Sequence, residues 1–292
     1  MKTKFFASVF MLAFYNILIA SLFIAFSEMR LGVYFIASIL GSTIISFILY
    51  QWLIRPVMEL QRQLEEAENI RKEFVANVTH EFKTPLTSIS GFLETLQSGA
   101  QEDPEVRRKF LDILSIETSR LTRLIEDLLI ISEIENKRSP QIDESFDVKE
   151  TLTQIIRAMK PISENLKVKI QLQAEDGIYL RGSEDRFTQM LVNLIENALK
   201  YSEAGSEVLV HASKMEASVE VFVRDYGIGI ANENIPRLFE RFYRIDKSRS
   251  QKMGGTGLGL SIVKHAATLF NAKLRVESAI GQGSTFYIEF PV

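Results

Sequence analysis

His80 stands out because histidine is rare in this chain and its surroundings are unusual. The sequence contains three histidines, and this one is followed directly by Glu81 and, five residues later, by Pro85 inside an otherwise helical pattern. An interior proline removes the hydrogen bond to the carbonyl four residues back, which predicts a kink at the His80 and Glu81 pair. We interpret His80 as a nucleophile. A solvated polar helix face is the alternative that these residues leave open.

A second group of polar residues lies on a predicted helix over residues 186–201. Asn193, Asn197 and Lys200 are spaced four and three apart and therefore share one face. An amide oxygen is a hard neutral ligand that suits Mg²⁺, and a lysine offsets phosphate charge. These residues predict a metal and phosphate site, with a solvated face as the alternative.

Two glycine-rich segments strengthen the phosphate interpretation. Residues 225–229 read Asp-Tyr-Gly-Ile-Gly after a predicted strand, and residues 254–260 read Gly-Gly-Thr-Gly-Leu-Gly-Leu before a predicted helix. Glycines let a backbone approach phosphate closely, and a helix N-terminus presents free N–H groups to an anion. Neither segment is a P-loop or a Rossmann fingerprint. The residues between them, 226–255, form a long segment of the kind that serves as a lid.

Five segments together carry a family resemblance. In chain order, residues 80–85, 193–197, 225–229, 239–244 and 254–259 closely resemble the H, N, G1, F and G2 boxes of membrane sensor histidine kinases of two-component systems. The resemblance covers about four fifths of the chain. It implies an α+β ATP-binding sandwich shared with Hsp90-like ATPases, with ATP and Mg²⁺ as cofactors.

The resemblance also implies a role for each matching residue. His80 is expected to accept the phosphoryl group, Glu81 to hold the imidazole and take its proton, and Thr84 to orient a water that dephosphorylates the partner regulator. In the nucleotide site, Asn197 is expected to bind Mg²⁺ and Asp225 to accept a hydrogen bond from the adenine amino group. The other residues predicted for that site are Asn193, Lys200, Tyr201, Gly227, Gly229, Arg244, Gly255, Thr256, Gly257, Leu258 and Gly259. Of these, Lys200, Arg244 and the glycines at 255, 257 and 259 are expected to contact the phosphates.

The sequence departs from the family pattern in three places. Tyr226 replaces the commoner Asn, and Asn271 stands where a glycine pair usually follows the last helix, although Asn also adopts the left-handed conformation. Only 24 residues separate Pro56 from His80, which leaves no complete HAMP or PAS module between them.

The elements that must position His80 are two long helices. A heptad from Val57 to Val78 predicts a helix seam shared with a partner helix, and it continues directly from the preceding apolar run. A turn over residues 99–104 and a second amphipathic helix that ends near Asn136 follow. Two such helices cannot bury a core unaided, so we predict a four-helix bundle formed by a homodimer.

After a predicted hinge at residues 137–140, the pattern changes to α+β. We predict helices over 147–165, 186–201 and 258–270, the second capped by Asp185, and strands over 167–173, 208–212, 219–225, 274–277 and 285–290. This is one sheet covered by a helical layer, a normal size for one domain.

The first part of the chain is almost uncharged. Residues 5–26 and 33–54 are two apolar runs of 22 residues, each long enough to cross a bilayer. Lys2, Lys4 and Arg55 flank them, which predicts a multi-pass inner or plasma membrane protein with both termini in the cytoplasm. A cleaved signal peptide is the alternative for the first run. A short hairpin of this kind leaves the stimulus to the membrane, to the hairpin itself or to a membrane partner protein.

Composition narrows the function further. The net charge of −3 argues against direct binding of nucleic acid, and the absence of cysteine excludes disulfides and thiolate metal sites.

We predict three parts: a transmembrane hairpin (1–56), a dimerisation and phosphotransfer domain (57–138) and an ATP-binding domain (139–292). The predicted function is a histidine kinase that phosphorylates His80 and then a cytoplasmic response regulator, with phosphatase activity toward that regulator. An Hsp90-like conformational ATPase and a non-catalytic membrane scaffold are the competing hypotheses.

Overall fold

The structure is a computed structural model that describes residues 14–22, 31–135, 144–246 and 255–291. Its contacts divide the chain into two units, Met1–Ala76 and Asn77–Val292, which are described separately. The predicted hinge at residues 137–140 lies outside the described residues.

The described part of the first unit is helical. Residues 14–22 form a helix, and α1 (Leu31–Leu49) runs through a π-helical turn (Tyr50–Ile54) into α2 (Arg55–Gln97). By length and composition, the described residues contain one stretch of helix, Ser38–Gln97, that is long and apolar enough to cross a membrane. The second predicted span is therefore helical, whereas the first lies mostly outside the described residues.

Two long helices form the hairpin that carries His80. The prediction of a helix that continues from the apolar run to His80 is confirmed, because α2 extends unbroken to Gln97. Gly99 then adopts a left-handed conformation, with φ at 113°, before a 3₁₀ turn (Ala100–Glu102) and α3 (Pro104–Glu135). Only glycine takes this φ without strain, so Gly99 sets the reversal between the helices.

The α+β part is built on a five-stranded sheet of order β2-β4-β5-β7-β6. Its strands are β2 (Lys169–Ala174), β4 (Glu207–Lys214), β5 (Ser218–Asp225), β6 (Lys273–Ala279) and β7 (Gly283–Pro291). β2 pairs with β4 in parallel, and the other pairs are antiparallel. The predicted strands are confirmed. β2 begins two residues later and ends one residue later than predicted, and each of the others is longer by one or two residues at one or both ends.

Three helices cover one face of the sheet: α4 (Val148–Leu166), α5 (Glu184–Tyr201) and α6 (Gly259–Leu269). Asp147 caps α4 by accepting a hydrogen bond from the Glu150 N–H. The predicted cap of α5 at Asp185 is wrong, because the Ser183 hydroxyl accepts from the Arg186 N–H and places Asp185 in the first turn. The left-handed Asn271 after α6 is confirmed, with φ at 52°.

Two short strands were not predicted. β1 (Ser145–Asp147) pairs antiparallel with β3 (Tyr179–Arg181) beside the main sheet. Each has three residues, too few for an alternating pattern to show in the sequence.

The amphipathic pattern of α5 decides what faces the core. Its predicted apolar face is confirmed as buried and consists of Met190, Leu191, Leu194, Ile195 and Ala198. These residues pack with the inward side chains of β4 and β5 in one core cluster. The opposite face of α5 is therefore left for the polar residues.

Candidate functional site

The acceptor segment is exposed on α2. His80 is exposed, and the Thr84 hydroxyl one turn later donates to the His80 carbonyl at 3.3 Å. Pro85 is buried, and α2 continues past it to Gln97. The proline therefore does not end the helix. Within the described residues, the His80 imidazole makes no hydrogen bond. It is therefore open to a reactant approaching from solvent.

Glu81 points into a cluster of charge at the junction of the hairpin and the α+β part. Its Oε2 accepts from Arg244 at 2.9 Å and from Arg120 at 3.1 Å. Arg244 was expected to contact phosphate, yet here it lies on the carboxylate next to His80. The contact shows that the segment predicted as a lid reaches the acceptor segment.

The polar face of α5 lies where the sequence predicted it. Asn193, Asn197 and Lys200 are half-buried, and Lys200 forms an ion pair with Glu196 at 3.1 Å. A Cβ on Gly259 would be 2.9 Å from the Asn193 side-chain oxygen, so the glycine brings the start of α6 against this face. The two asparagine amides have no hydrogen-bond partner among the residues that the structure describes.

Asp225 is the buried carboxylate of the site. It is 5 % exposed, and its Oδ1 accepts from the Gly227 N–H at 2.9 Å and the Ser284 N–H at 3.2 Å. Burial raises the pKa of this carboxyl above its ordinary value, although both hydrogen bonds oppose the shift. The turn around it is tight, because a Cβ on Gly227 would lie 2.0 Å from the Tyr201 carbonyl oxygen and one on Gly229 1.9 Å from that of Ala279.

The second glycine segment joins the lid to α6. Gly254 lies outside the described residues, and Gly255 to Leu258 lead into the helix. Gly257 has φ at 74°, and its carbonyl accepts a hydrogen bond from the Phe242 N–H at 2.8 Å. The lid is thus not a bare loop, since its first part includes a 3₁₀ turn (Ile235–Arg237) and the buried Leu238.

Contacts between the hairpin and the α+β part were missed by the sequence reasoning. The Thr256 hydroxyl donates to Asp127 at 2.7 Å, and Arg186 forms an ion pair with Glu133 at 2.6 Å. Around them lies a small buried cluster of Leu124, Ile131, Leu258 and Ile262. The apolar stripe of α3 was visible in the sequence, but a stripe does not show which partner it meets.

Replacing Asp127 with asparagine should stabilise the protein at neutral pH. Burial raises the pKa of Asp127, so its ionised form disfavours the folded state, whereas asparagine keeps an acceptor for Thr256 without the charge. We expect the melting temperature to rise by about 2–4 °C, the shift that roughly 1 kcal/mol produces.

The sign of this effect fixes its pH dependence. The cost of the ionised carboxylate is complete above the raised pKa and declines between that pKa and the ordinary one, so the advantage of Asp127→Asn should shrink as pH falls through the raised pKa and vanish below the ordinary aspartate range. The exposed Asp112 on the same helix provides the control, because Asp112→Asn should leave the melting temperature unchanged. An equal rise in melting temperature at every pH would contradict a raised pKa of Asp127 as the cause.

The site residues fit a magnesium nucleotide. A polar cradle lies beside α5. It consists of a buried acceptor at Asp225, glycines with no room for a side chain, and the half-buried amides of Asn193 and Asn197, which have no partner among the described residues. Within the described ranges no cluster of three His, Cys, Asp or Glu side chains could hold a metal. The amide oxygens of Asn193 and Asn197 are of the oxygen-donor type that Mg²⁺ prefers.

Two family models match the chain. One, described as the His Kinase A (phospho-acceptor) domain, matches residues 70–137, and the other, described as Histidine kinase-, DNA gyrase B-, and HSP90-like ATPase, matches residues 182–292. The first match contains His80 and the second contains α5, Asp225 and both glycine segments. Fold and site thus define a phospho-acceptor hairpin followed by an ATPase-type domain.

Known proteins with similar sequences narrow the class of protein. The chain is 38 % identical over 238 residues to the sensor-like histidine kinase SenX3 of Mycolicibacterium smegmatis, covering 80 % of this chain and 62 % of SenX3. It is 37 % identical over 229 residues to the sensor protein kinase WalK of Staphylococcus saprophyticus, covering 78 % of this chain and 37 % of WalK. The chain therefore spans less than two thirds of each relative. It belongs to the sensor histidine kinases of two-component systems.

A solved structure supports the fold. The histidine kinase ThkA, described in complex with the response regulator protein TrrA, aligns with a TM-score of 0.62 over 80 % of this chain and 65 % of ThkA. The sequence identity of 23 % makes this a likeness of fold.

Proposed function

We propose that this protein is an ATP-dependent histidine kinase that transfers the γ-phosphoryl group of ATP to His80 and then to an aspartate of a cytoplasmic response regulator. The observation that carries the proposal is the 2.9 Å contact between Arg244 of the lid and Glu81, the residue after His80. The contact joins the segment that would cover the nucleotide to the residue that follows His80. A protein that only hydrolysed ATP, or that served as a scaffold, would not need this contact.

The residues around the nucleotide would act by binding and orientation. Asp225 would accept a hydrogen bond from the adenine amino group, and the glycines at 227 and 229 would admit the base beside Tyr201. Asn193, Lys200 and the segment from Gly255 to Gly259, with Thr256 and Leu258, would surround the phosphates. This kind of transfer depends mainly on positioning and on neutralising charge.

Asn197 would hold Mg²⁺ through its amide oxygen. When bound, Mg²⁺ would neutralise part of the negative charge of the phosphates. The half-buried amide of Asn197, which has no hydrogen-bond partner in the part of the chain that the structure describes, supports this role. Glu81 would take the imidazole proton of His80, and Thr84, one turn away, would orient a water for dephosphorylation of the regulator.

The hairpin supports a homodimer. Large apolar side chains on its helices are uncovered, among them Leu86 at 51 %, Ile116 at 66 % and Leu129 at 58 % exposure. An open groove of about 750 Å³ on α2 runs along Val78, Phe82, Leu86 and neighbouring residues. A second copy that completes a four-helix bundle would cover this apolar surface.

The partners and location follow the same proposal. A response regulator is the proposed phosphoryl acceptor, which is the class of partner with which ThkA is described. The long apolar helix that includes Ser38 supports a membrane anchor, and the two-span hairpin with cytoplasmic termini stays a prediction. The division at residues 56 and 138, and a membrane partner that supplies the signal, also stay predictions.

Incubation of the full chain in detergent micelles with γ-labelled ATP and Mg²⁺ tests the proposal. We expect one label per acceptor that is lost in acid and retained in base, which is the behaviour of a phosphoramidate. Chelation of Mg²⁺ should reduce labelling to background. A label that survives acid would contradict a histidine acceptor.

A further inference from the structure

Glu81 is held by two cations that belong to different parts of the fold. Its Oε2 accepts from Arg120 of α3 and from Arg244 of the lid. The three side chains are largely buried, with exposures of 15 % for Glu81, 11 % for Arg120 and 6 % for Arg244. Charge-assisted hydrogen bonds in such a setting fix the direction of a carboxylate.

Arg120 is fixed to the hairpin on both sides. Besides Glu81, its Nη1 lies 4.0 Å from Oε2 of Glu117, one turn earlier on α3. That Glu117 oxygen is buried and has no hydrogen-bond partner among the described residues. Arg120 therefore lies between two carboxylates and separates their like charges.

Arg244 cannot be a permanent partner of Glu81 if the proposed function holds. The same guanidinium would be needed at the phosphates of the nucleotide, and it cannot bind both the phosphates and Glu81 in the same way. Arg120 has no such second task, because both of its carboxylate partners lie on α2 and α3. It alone would remain on Glu81 during the reaction.

The contact also selects one oxygen of the carboxylate. Both guanidinium groups contact Oε2, whereas Oε1 has no hydrogen bond within the described residues. With Oε2 held by Arg120, Oε1 remains the oxygen that can receive a proton from the neighbouring imidazole.

We propose that Arg120 is a positioning residue for the phosphorylation of His80, which it serves by holding Glu81 through Oε2. The inference rests on the proposed function. In the step concerned, an imidazole nitrogen forms a bond to the γ-phosphorus as the bond from phosphorus to the bridging oxygen breaks, and ADP leaves with that electron pair. The proton released from the imidazole passes to Oε1 of Glu81.

Steady-state and single-turnover labelling of the full chain with Arg120→Ala tests the role. We expect kcat to fall by about 10- to 100-fold, a part of the contribution that a positioned base makes, while KM for ATP stays within about twofold. Arg120→Lys should recover part of kcat, since it restores the charge without the planar fork. A purely structural role would instead lower the fraction of active protein and leave the kcat of that fraction unchanged.

Two controls make the result decisive. Arg108→Ala removes an exposed arginine from the same helix, with no ion pair in the described part of the chain, and should leave kcat unchanged. Binding of a fluorescent ATP analogue to Arg120→Ala should match that of the parent protein, which shows that the nucleotide site is folded. Unchanged or increased kcat in Arg120→Ala, beside normal labelling of the parent, overturns the inference alone. Absence of label in the parent protein overturns the proposed function with it.

Discussion

Replacing His80 with glutamine should abolish the acid-labile label while leaving ATP binding intact. Glutamine has no nucleophilic ring nitrogen, and His80 is exposed and makes no side-chain hydrogen bond in the part of the chain that the structure describes, so its loss should not disturb folding. We expect labelling to fall to background. The affinity for a fluorescent ATP analogue should stay within about twofold, because binding of the nucleotide does not require the side chain that accepts the phosphoryl group.

The matched control is another histidine in the same domain pair. His211 lies on β4, stacked on Phe222 with ring centroids 4.6 Å apart and away from α5, so His211→Gln should keep the label. If His80→Gln retained the label, the acceptor would lie elsewhere. If it lost the label and still consumed ATP at the parent rate, the protein would be an ATPase whose hydrolysis is independent of His80, as the Hsp90-like hypothesis requires.

Replacing Asp225 with asparagine should weaken ATP binding by about 10- to 100-fold. Asparagine keeps Oδ1 for the Gly227 and Ser284 N–H groups, but it replaces the second carboxylate oxygen with an amide that donates. A donor then faces the adenine amino group, and a hydrogen bond to a charged group contributes about 1.5–3 kcal/mol. Equilibrium titration with ATP measures the loss.

The pH dependence of ATP binding provides a second readout of the same carboxylate. Because burial raises the pKa of Asp225, a proton should compete with the adenine amino group at a pH above the ordinary aspartate range. Affinity should therefore decrease as pH is lowered through the raised pKa, and this decrease should be absent in Asp225→Asn. The control is Asp176→Asn, whose carboxylate is 89 % exposed. An unchanged affinity in Asp225→Asn would remove this residue from adenine recognition.

Much of the secondary structure could be predicted because hydrophobic periodicity is strong in long elements. The apolar face of α5, the continuous helix through His80 and the strands of the main sheet all follow from such patterns. The short β1 and β3 did not, since three residues do not establish a period. The cap of α5 was misplaced by two residues, because Ser183 and Asp185 are both residue types that cap helices well. Only the hydrogen bond from the Arg186 N–H to the Ser183 hydroxyl identifies Ser183 as the cap.

The nucleotide-site residues could be proposed from the sequence because their types and spacing are local. Asn193 and Asn197 share a face by helical geometry alone, and Asp225 follows directly from a strand. The partners of Glu81 could not be predicted in this way, since Arg120 and Arg244 lie 39 and 163 residues away from it. Contacts at such separations depend on how the hairpin packs against the α+β part. Hydrophobic periodicity in the sequence gives no information about that packing. Asp127 was missed for the same reason.

The direct test of the central claim is to locate the phosphoryl group. After incubation with ATP and Mg²⁺, the full chain would be digested at alkaline pH, which preserves a phosphoramidate, and its peptides sequenced by mass spectrometry. Our account predicts a phosphoryl group on the peptide that contains His80, assigned to the imidazole by fragmentation and absent when Mg²⁺ is chelated. A phosphoryl group found only on another residue, or none on any peptide of a protein that binds ATP, would contradict it.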